Sequence, residues 1–300
     1  MSEANFFLER MLPLGVTEEN NHITVQNRDA EFPMPSHQKV QIFGEDKEGN
    51  IEILYWRING DLITWTHMGD GKMSHVNGKT KTYLTKRLKE PKGDTKYLMP
   101  KGQGTYPWFA PETTDAYAEK EKIETIYLTE GVFKAWKGAK AGVHVIGLSS
   151  ITHYANHEGN LHEDIKRLII DCRVENVVVL WDGDCKDISN KALAKREDLT
   201  RRPRGFFNAV KAVNKLVSKL PIPKEQPKPK AYFFHIKPSS FQDKPKGLDD
   251  ILISAEKQNK KEEVVQDLKI LDIRGEYFYK YDLSKGTAAL NRHFHLNSAE

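Results

Sequence analysis

The chain has 300 residues, 38% of them hydrophobic, and a formal net charge of +4, with a mean hydropathy of -0.63. That is enough chain for one large domain or two smaller ones with a sizeable core. No apolar run approaches the roughly 18 residues a membrane helix needs, and the opening MSEANFFLER lacks a basic stretch followed by an apolar core, so no membrane partner and a cytoplasmic location are expected.

Cys172 and Cys185 are the only cysteines. They are too few for a disulfide framework or a cysteine-based zinc ribbon, so a metal here must sit on oxygen or imidazole ligands. Lysine and arginine cluster in GKMSHVNGKTKTYLTKRLKEPKGDTKYLMPKG and again from Lys186 to Lys230. Such local fields suit a polyanion and equally suit solvated surface.

Residues 1–50 carry weak periodicity and the polar stretches TEENN and FPMPS, which predicts an irregular segment with one short helix near Phe6 to Met11. IEILYWRI and DLITWTHM then flank Asn59-Gly60, the pattern of an antiparallel hairpin with a tight turn. In KYLMPKGQGTYPWFAP, proline and glycine argue against regular structure. There Tyr97, Tyr106, Trp108 and Phe109 intermingle with Lys92, Lys96 and Lys101, as in a stacking groove for single-stranded nucleic acid or in a small aromatic core rimmed by lysines. Residues 51–122 are thus read as a small basic, β-containing subdomain.

From 123 the grammar changes. Short apolar strands at 125–129, 143–148, 176–181 and 231–236 alternate with helical patterns at 132–140, 161–171, 206–220 and 248–255. This predicts an α/β domain over 123–255, with a Rossmann-like, mostly parallel sheet covered by helices on both faces. PIPKEQPKPK is a non-helical connector. The extension 256–300 holds a charged helix and a strand within GEYFYKYDL.

In open α/β sheets ligands bind beyond the carboxyl ends of the strands. Glu130-Gly131 follows the first strand, and Asp182-Gly183-Asp184 follows the third. If those strands are neighbours, three carboxylates converge, and a hard cation such as Mg²⁺ or Mn²⁺ relieves their repulsion. The plainer alternatives are an Asx-turn after the third strand and a helix-dipole role for Glu130. Lys134, one turn after Glu130, and Lys246, before Asp249 and Asp250, are either phosphate-neutralising groups or ordinary surface and helix-start residues. His153, His157 and His162 with Glu158 form a histidine-rich loop, read as exposed, with phosphate contact or zinc as the alternatives. VNGKT at 76–80 is not a P-loop, because Met73 stands where glycine is required. DGDCKD is not an EF-hand, because Lys186 stands at the third ligand position.

Taken in order, YLTEGVFKAWKGAKAGVHVIGLSS, VVVLWDGDCKD and FFHIKPSSFQDKPKGLDDIL resemble the TOPRIM domain, and most of all the primase-like TOPRIM modules of plasmid, phage and mobile-element replication proteins. The resemblance spans about 125 to 255 and extends over GDLITWTHMGDG and TKYLMPKGQGTYPWF, which are similar to the basic subdomain before TOPRIM in those primases. It implies Glu130, Asp182 and Asp184 as catalytic and metal-binding residues, with Glu130 as ligand or general base and Asp187, Asp249 and Asp250 in support. It places Lys246 in a lysine-glycine-x-aspartate-aspartate motif of that branch, and beside it the basic residues Lys96, Lys101, Lys134, Arg201, Arg202 and Arg204 are read as nucleic-acid or phosphate contacts. The implied activity is metal-dependent nucleotidyl transfer that makes primers on single-stranded DNA from nucleoside triphosphates, with a replicative helicase as a further partner. The same acids also suit a metal-dependent nuclease, and a non-catalytic nucleic-acid-binding accessory protein is the third reading. The chain departs from the family's pattern in its long basic insertion CKDISNKALAKREDLTRRPRGFF and in having no cysteine ligands for a zinc ribbon.

Overall fold

The computed structural model describes residues 5–25, 38–67, 79–188, 190–195 and 198–294. The FPMPS stretch and much of the first basic cluster, including 76–78 of VNGKT, lie outside the described residues.

The described chain opens with α1 (Phe6–Leu14), β1 (His22–Thr24), β2 (Lys39–Gln41), β3 (Phe43–Glu45), β4 (Ile51–Leu54), β5 (Thr64–His67), β6 (Lys79–Thr82), β7 (Leu84–Lys92), β8 (Thr95–Leu98) and β9 (Trp108–Phe109). It continues through α2 (Pro111–Ala118), β10 (Thr125–Glu130), α3 (Val132–Lys140), β11 (His144–Leu148), α4 (Glu163–Asp171), β12 (Asn176–Trp181), α5 (Asn190–Lys195), α6 (Arg201–Ser218) and β13 (Lys230–Ile236). α7 (Leu248–Lys257), α8 (Lys261–Lys269), β14 (Phe278–Asp282) and α9 (Ala288–His293) complete it.

The central sheet runs β14-β13-β12-β10-β11-β9. Its four inner strands are parallel, and both edge strands are antiparallel to their neighbours. This is the expected α/β class. Alternating side chains explain why both faces are covered. Tyr127, Val178, Leu180 and Phe234 face a core shared with α3, α7, α8 and the N-terminal sheets. Ile126, Leu128, Val177, Val179 and Phe233 face a second core with α2, α4, α6 and α9. In α6 one face is apolar, with Phe206, Phe207, Val210, Val213 and Val217 buried.

The N-terminal part forms a separate sheet in the order β3-β4-β7-β8, with β5 and β6 paired apart from it. The expected hairpin is therefore corrected. Asn59-Gly60 does turn the chain, with Gly60 at φ 85° and Arg57 N donating to Asp61 O at 2.8 Å, but the antiparallel pairing extends only to the Trp56–Leu62 bridge. Beyond it β4 pairs with β3 and β7 while β5 leaves for β6. Trp56 is buried and donates through Nε1 to Thr114 of α2 at 3.0 Å, which pins the turn to the larger body rather than letting it lengthen.

The expectation of irregular chain through KYLMPKGQGTYPWFAP is also corrected, because that stretch contributes β8 and β9. β9 is an edge strand of the central sheet, and β14, within GEYFYKYDL, is the other. The short N-terminal helix is present and reaches Leu14. It docks on α3, where Trp136 Nε1 donates to Leu14 O at 3.2 Å and Lys137 Nζ to Pro13 O at 2.9 Å.

The turn after β4 is tied to α4 by a bidentate pair, Arg57 to Asp164, at 2.5 and 2.8 Å. The Asp164 side chain is 1% exposed. Removing the guanidinium strands a buried carboxylate, which costs more than the pair itself is worth. Arg57→Met should therefore lower the unfolding free energy by about 2 kcal/mol, and adding Asp164→Asn should restore part of it in denaturant titrations. Equal stability of Arg57→Met and wild type would mean that this tie does not hold the two parts together.

Candidate functional site

β10 lies between β11 and β12, so the carboxyl ends that carry Glu130 and the Asp182-Gly183-Asp184 turn are next to each other. Backbone conformation makes this possible at two glycines. Gly131 has φ 108°, a region open to glycine but strained for other residues, and lets the chain leave β10 straight into α3 while its N–H donates to Leu148 O at 2.7 Å. At Gly183 a Cβ would lie 2.4 Å from Pro238 Cγ and 3.0 Å from Ile236 O, so only glycine lets the turn press against the end of β13.

Beside these ends is a cavity of about 460 Å³. Its floor carries Glu130, Gly131, Lys134, Asp182 and Asp249, and its opposite wall carries Tyr55, Thr85, Lys96, Tyr97 and Met99 from the N-terminal sheet. The basic subdomain thus faces the acidic strand ends across one cavity.

At these strand ends Asp182 and Asp184 are paired with cations. Lys134 Nζ donates to both oxygens of Asp182 at 2.7 Å. Arg202 reaches Asp184 Oδ1 at 2.9 Å, also donates to the backbone carbonyls of Asp184 and Asp187, and so clamps the turn. Lys246 Nζ stands 3.5 Å from Asp184 Oδ2. Among the described residues the Glu130 carboxylate makes no hydrogen bond or ion pair, and Asp249 Oδ1 is buried with no hydrogen-bond partner.

Burial pushes Glu130 above the ordinary carboxylate range, and Lys134 only partly offsets it. Burial likewise raises Asp182 against the pull of Lys134. At Asp184 burial works in the same direction, but Arg202 and Lys246 outweigh it and hold the group low. Lys134 is itself desolvated, yet Asp182, Asp249 and Glu130 together keep it charged.

The donor set suits a hard divalent ion in kind, since carboxylates outnumber cations around the cavity and one buried carboxylate oxygen is unsatisfied. In placement, Lys134 holds the position between them. Among the described residues no three histidine, cysteine, aspartate or glutamate side chains converge on a common point. The expected open cradle of three carboxylates is thus corrected to a cluster partly neutralised from within.

Of the expected contacts, Lys96 and Lys134 line the cavity, while Arg202 and Lys246 pair with Asp184. Lys101, Arg201 and Arg204 do not line it; Arg204 pairs with Asp198 at 3.2 Å. Asp187 is exposed and contributes its carbonyl to Arg202. Asp250 accepts from Gly247 N at 3.1 Å, which caps α7.

The stacking-groove reading is corrected for two of its aromatics. Trp108 and Phe109 are fully buried, and Trp108 Nε1 donates to Leu54 O at 2.9 Å. Tyr106 packs edge-on against Tyr83, and only Tyr97 of the four lines the cavity. The histidines of the loop converge on no metal site among the described residues: His162 caps α4 through Asp164 N at 3.2 Å and is half-buried, as is His153, so the exposed reading holds for His157 alone, which is 90% exposed. Tyr55, Thr85 and Met99 also line the cavity, and nothing in the local residue pattern around them marks a site.

No family model matches the chain, and no curated protein matches it. Among solved structures it is similar to the primase of Aquifex aeolicus, zinc-binding and RNA polymerase domains, at 14% identity and a TM-score of 0.40. That likeness covers 78% of this chain and 42% of the other, so the chain spans less than half the length of that structure. So loose a likeness carries no functional weight.

Asp249 is pushed up to about 6, by burial first and then by Asp250 and Asp182 against the pull of Lys134. At low pH both folded and unfolded chains hold this proton and nothing is lost. As pH rises from about 4 to about 6 the unfolded chain ionises first, so folding stability falls. Asp249→Asn should therefore stabilise the protein by about 2 kcal/mol at pH 8 and hardly at all at pH 4, measured by denaturation at both. A stability loss at pH 8 would mean that the carboxylate is satisfied in the folded protein.

Proposed function

We propose that the chain is a primase-like nucleotidyltransferase that uses Mg²⁺ or Mn²⁺ and acts on nucleoside triphosphates along single-stranded DNA. The observation that carries this reading is the adjacency of β10 and β12, which sets Glu130 beside the Asp182-Gly183-Asp184 turn, with Glu130 and Asp182 lining a cavity that Lys96, Tyr55 and Tyr97 also line. A divalent ion held by Asp182 and Asp184 would supply Lewis-acid stabilisation of the charge that builds on an attacked phosphorus.

The chain's own groups do the rest. Glu130, desolvated and raised, is a stronger base than a solvated carboxylate and suits the removal of a proton from an attacking ribose hydroxyl. Lys96 at the cavity and Lys246 beside Asp184 are exposed ammonium groups and suit phosphate oxygens. Tyr97 offers a ring, 42% exposed, against which a base can stack, and the Arg87 guanidinium lies 5.2 Å over its centroid, which fixes it in place. The cavity is large enough for one nucleotide unit.

The test is incubation with Mn²⁺, a mixed-sequence single-stranded template and all four nucleoside triphosphates, beside the Asp182→Ala protein. Short labelled oligoribonucleotides from wild type alone are the expected result. Shortening of the template without triphosphates would replace this reading with a nuclease, and binding indifferent to Mn²⁺ and to Asp182→Ala with a non-catalytic accessory protein. Glu130→Gln should lower the rate on the order of a hundredfold while leaving template affinity near wild type. That affinity should fall steeply with added salt in a log–log titration, and a flat titration would remove Lys96 and Lys246 as backbone contacts.

A further inference from the structure

Lys134 stands in the first turn of α3, where the helix dipole disfavours a cation, and where no acidic side chain offsets it within the helix. Its side chain is only 16% exposed. A lysine in such a place is costly unless the carboxylates around it supply the compensation, and they do. Both oxygens of Asp182 accept from Nζ, and Glu130 and Asp249 add to the attraction from either side. Even the backbone makes room for it: a Cβ on Gly247 would lie 2.7 Å from Lys134 Cε and 2.5 Å from Asp249 Oδ1.

An ammonium on a four-carbon stem differs from the guanidinium that serves Asp184. Arg202 is bound also to two backbone carbonyls and is part of the turn. Lys134 has carboxylate partners only and lines the cavity, so it can leave Asp182 by rotating about its own side-chain bonds.

We propose that Lys134 is a resident counter-cation that competes with the divalent ion for Asp182, and that on displacement its ammonium turns into the cavity to hold the phosphates that arrive with the ion. This rests on the metal-dependent reading above. The expected behaviour is weak ion binding by the free protein and stronger ion binding when a polyphosphate is present to receive Lys134. A site whose own charges are paired admits a cation and an anion together more readily than either alone.

The experiment measures Mn²⁺ binding by electron paramagnetic resonance, without nucleotide and with inorganic tripolyphosphate, for wild type, Lys134→Met and Lys134→Gln. The glutamine variant keeps a hydrogen-bond donor for Asp182, in case the methionine variant does not fold, and thermal melts verify folding. The prediction is at least tenfold tighter Mn²⁺ binding by the variants without polyphosphate. Tripolyphosphate, corrected for its own Mn²⁺ binding, should then tighten Mn²⁺ binding by wild type and not by the variants. Equal or weaker Mn²⁺ binding by folded Lys134 variants, with wild-type binding still abolished by Asp182→Asn, overturns the competition while leaving the metal-dependent reading in place. Absence of Mn²⁺ binding from wild type and variants alike, with polyphosphate or without, overturns both.

Discussion

Carboxylates at the carboxyl ends of adjacent parallel strands repel one another in a place where water is partly excluded. Glu130, Asp182, Asp184 and Asp249 are drawn to one end of the sheet by the order of β10 and β12 and by the start of α7. Burial alone pushes each toward its neutral form. What makes the arrangement tolerable is cationic charge from three different elements: Lys134 from α3, Arg202 from α6 and Lys246 from the loop before α7. Asp182 and Asp184 are each stabilised by a cation distant in sequence, so the strand ends, the helix starts and the charges must be in place together.

The same constraint accounts for features that would otherwise look incidental. α6 begins with Arg201 and Arg202, a poor choice for a helix N-terminus on dipole grounds, yet Arg202 thereby spans the Asp182–Asp187 turn and reaches two carbonyls and a carboxylate. Gly131, Gly183 and Gly247 stand where the chain approaches itself too closely, or bends too sharply, for a side chain. Each lies next to one of the charged residues. The cavity closes on its far side because Arg57 and Trp56 hold the N-terminal sheet against α4 and α2, which brings Tyr55, Thr85 and Tyr97 opposite the acids.

Much of this was legible in the residue order. Unbroken apolar runs such as NVVVLW announced buried parallel strands, and the acids that follow two of them announced the edge at which chemistry would sit. The length of an α/β crossover fixed their separation along the chain, though only the sheet order shows that β10 and β12 are neighbours. Other features were hidden for physical reasons. Trp108 and Phe109 interleave with lysines in sequence, but two residues of extended chain are enough to add a strand to a sheet edge, and burial then removes both rings from solvent. IEILYWRI and DLITWTHM have strand character on both sides of a good turn, and nothing local signals that Trp56 will be claimed by α2. Lys134 was visible as a residue one turn beyond Glu130, but a single charge on a helix does not reveal which partner it will choose.

That choice sets the character of the site. An open cluster of acids would bind cations without discrimination and would repel a phosphate until one arrived. With Lys134 seated on Asp182, the charge of the cluster is partly cancelled from within, and a bare anion gains little by approaching a lysine that is already engaged. Arg202 cannot leave without releasing the turn, so Asp184 keeps its negative charge and its position. Lys134 can leave, and what it gives up is contact with a carboxylate that burial already destabilises in its charged form. The two members of the Asp-Gly-Asp turn are therefore unequal. One is a fixed charge anchored to its own backbone, and the other has a partner that can be exchanged.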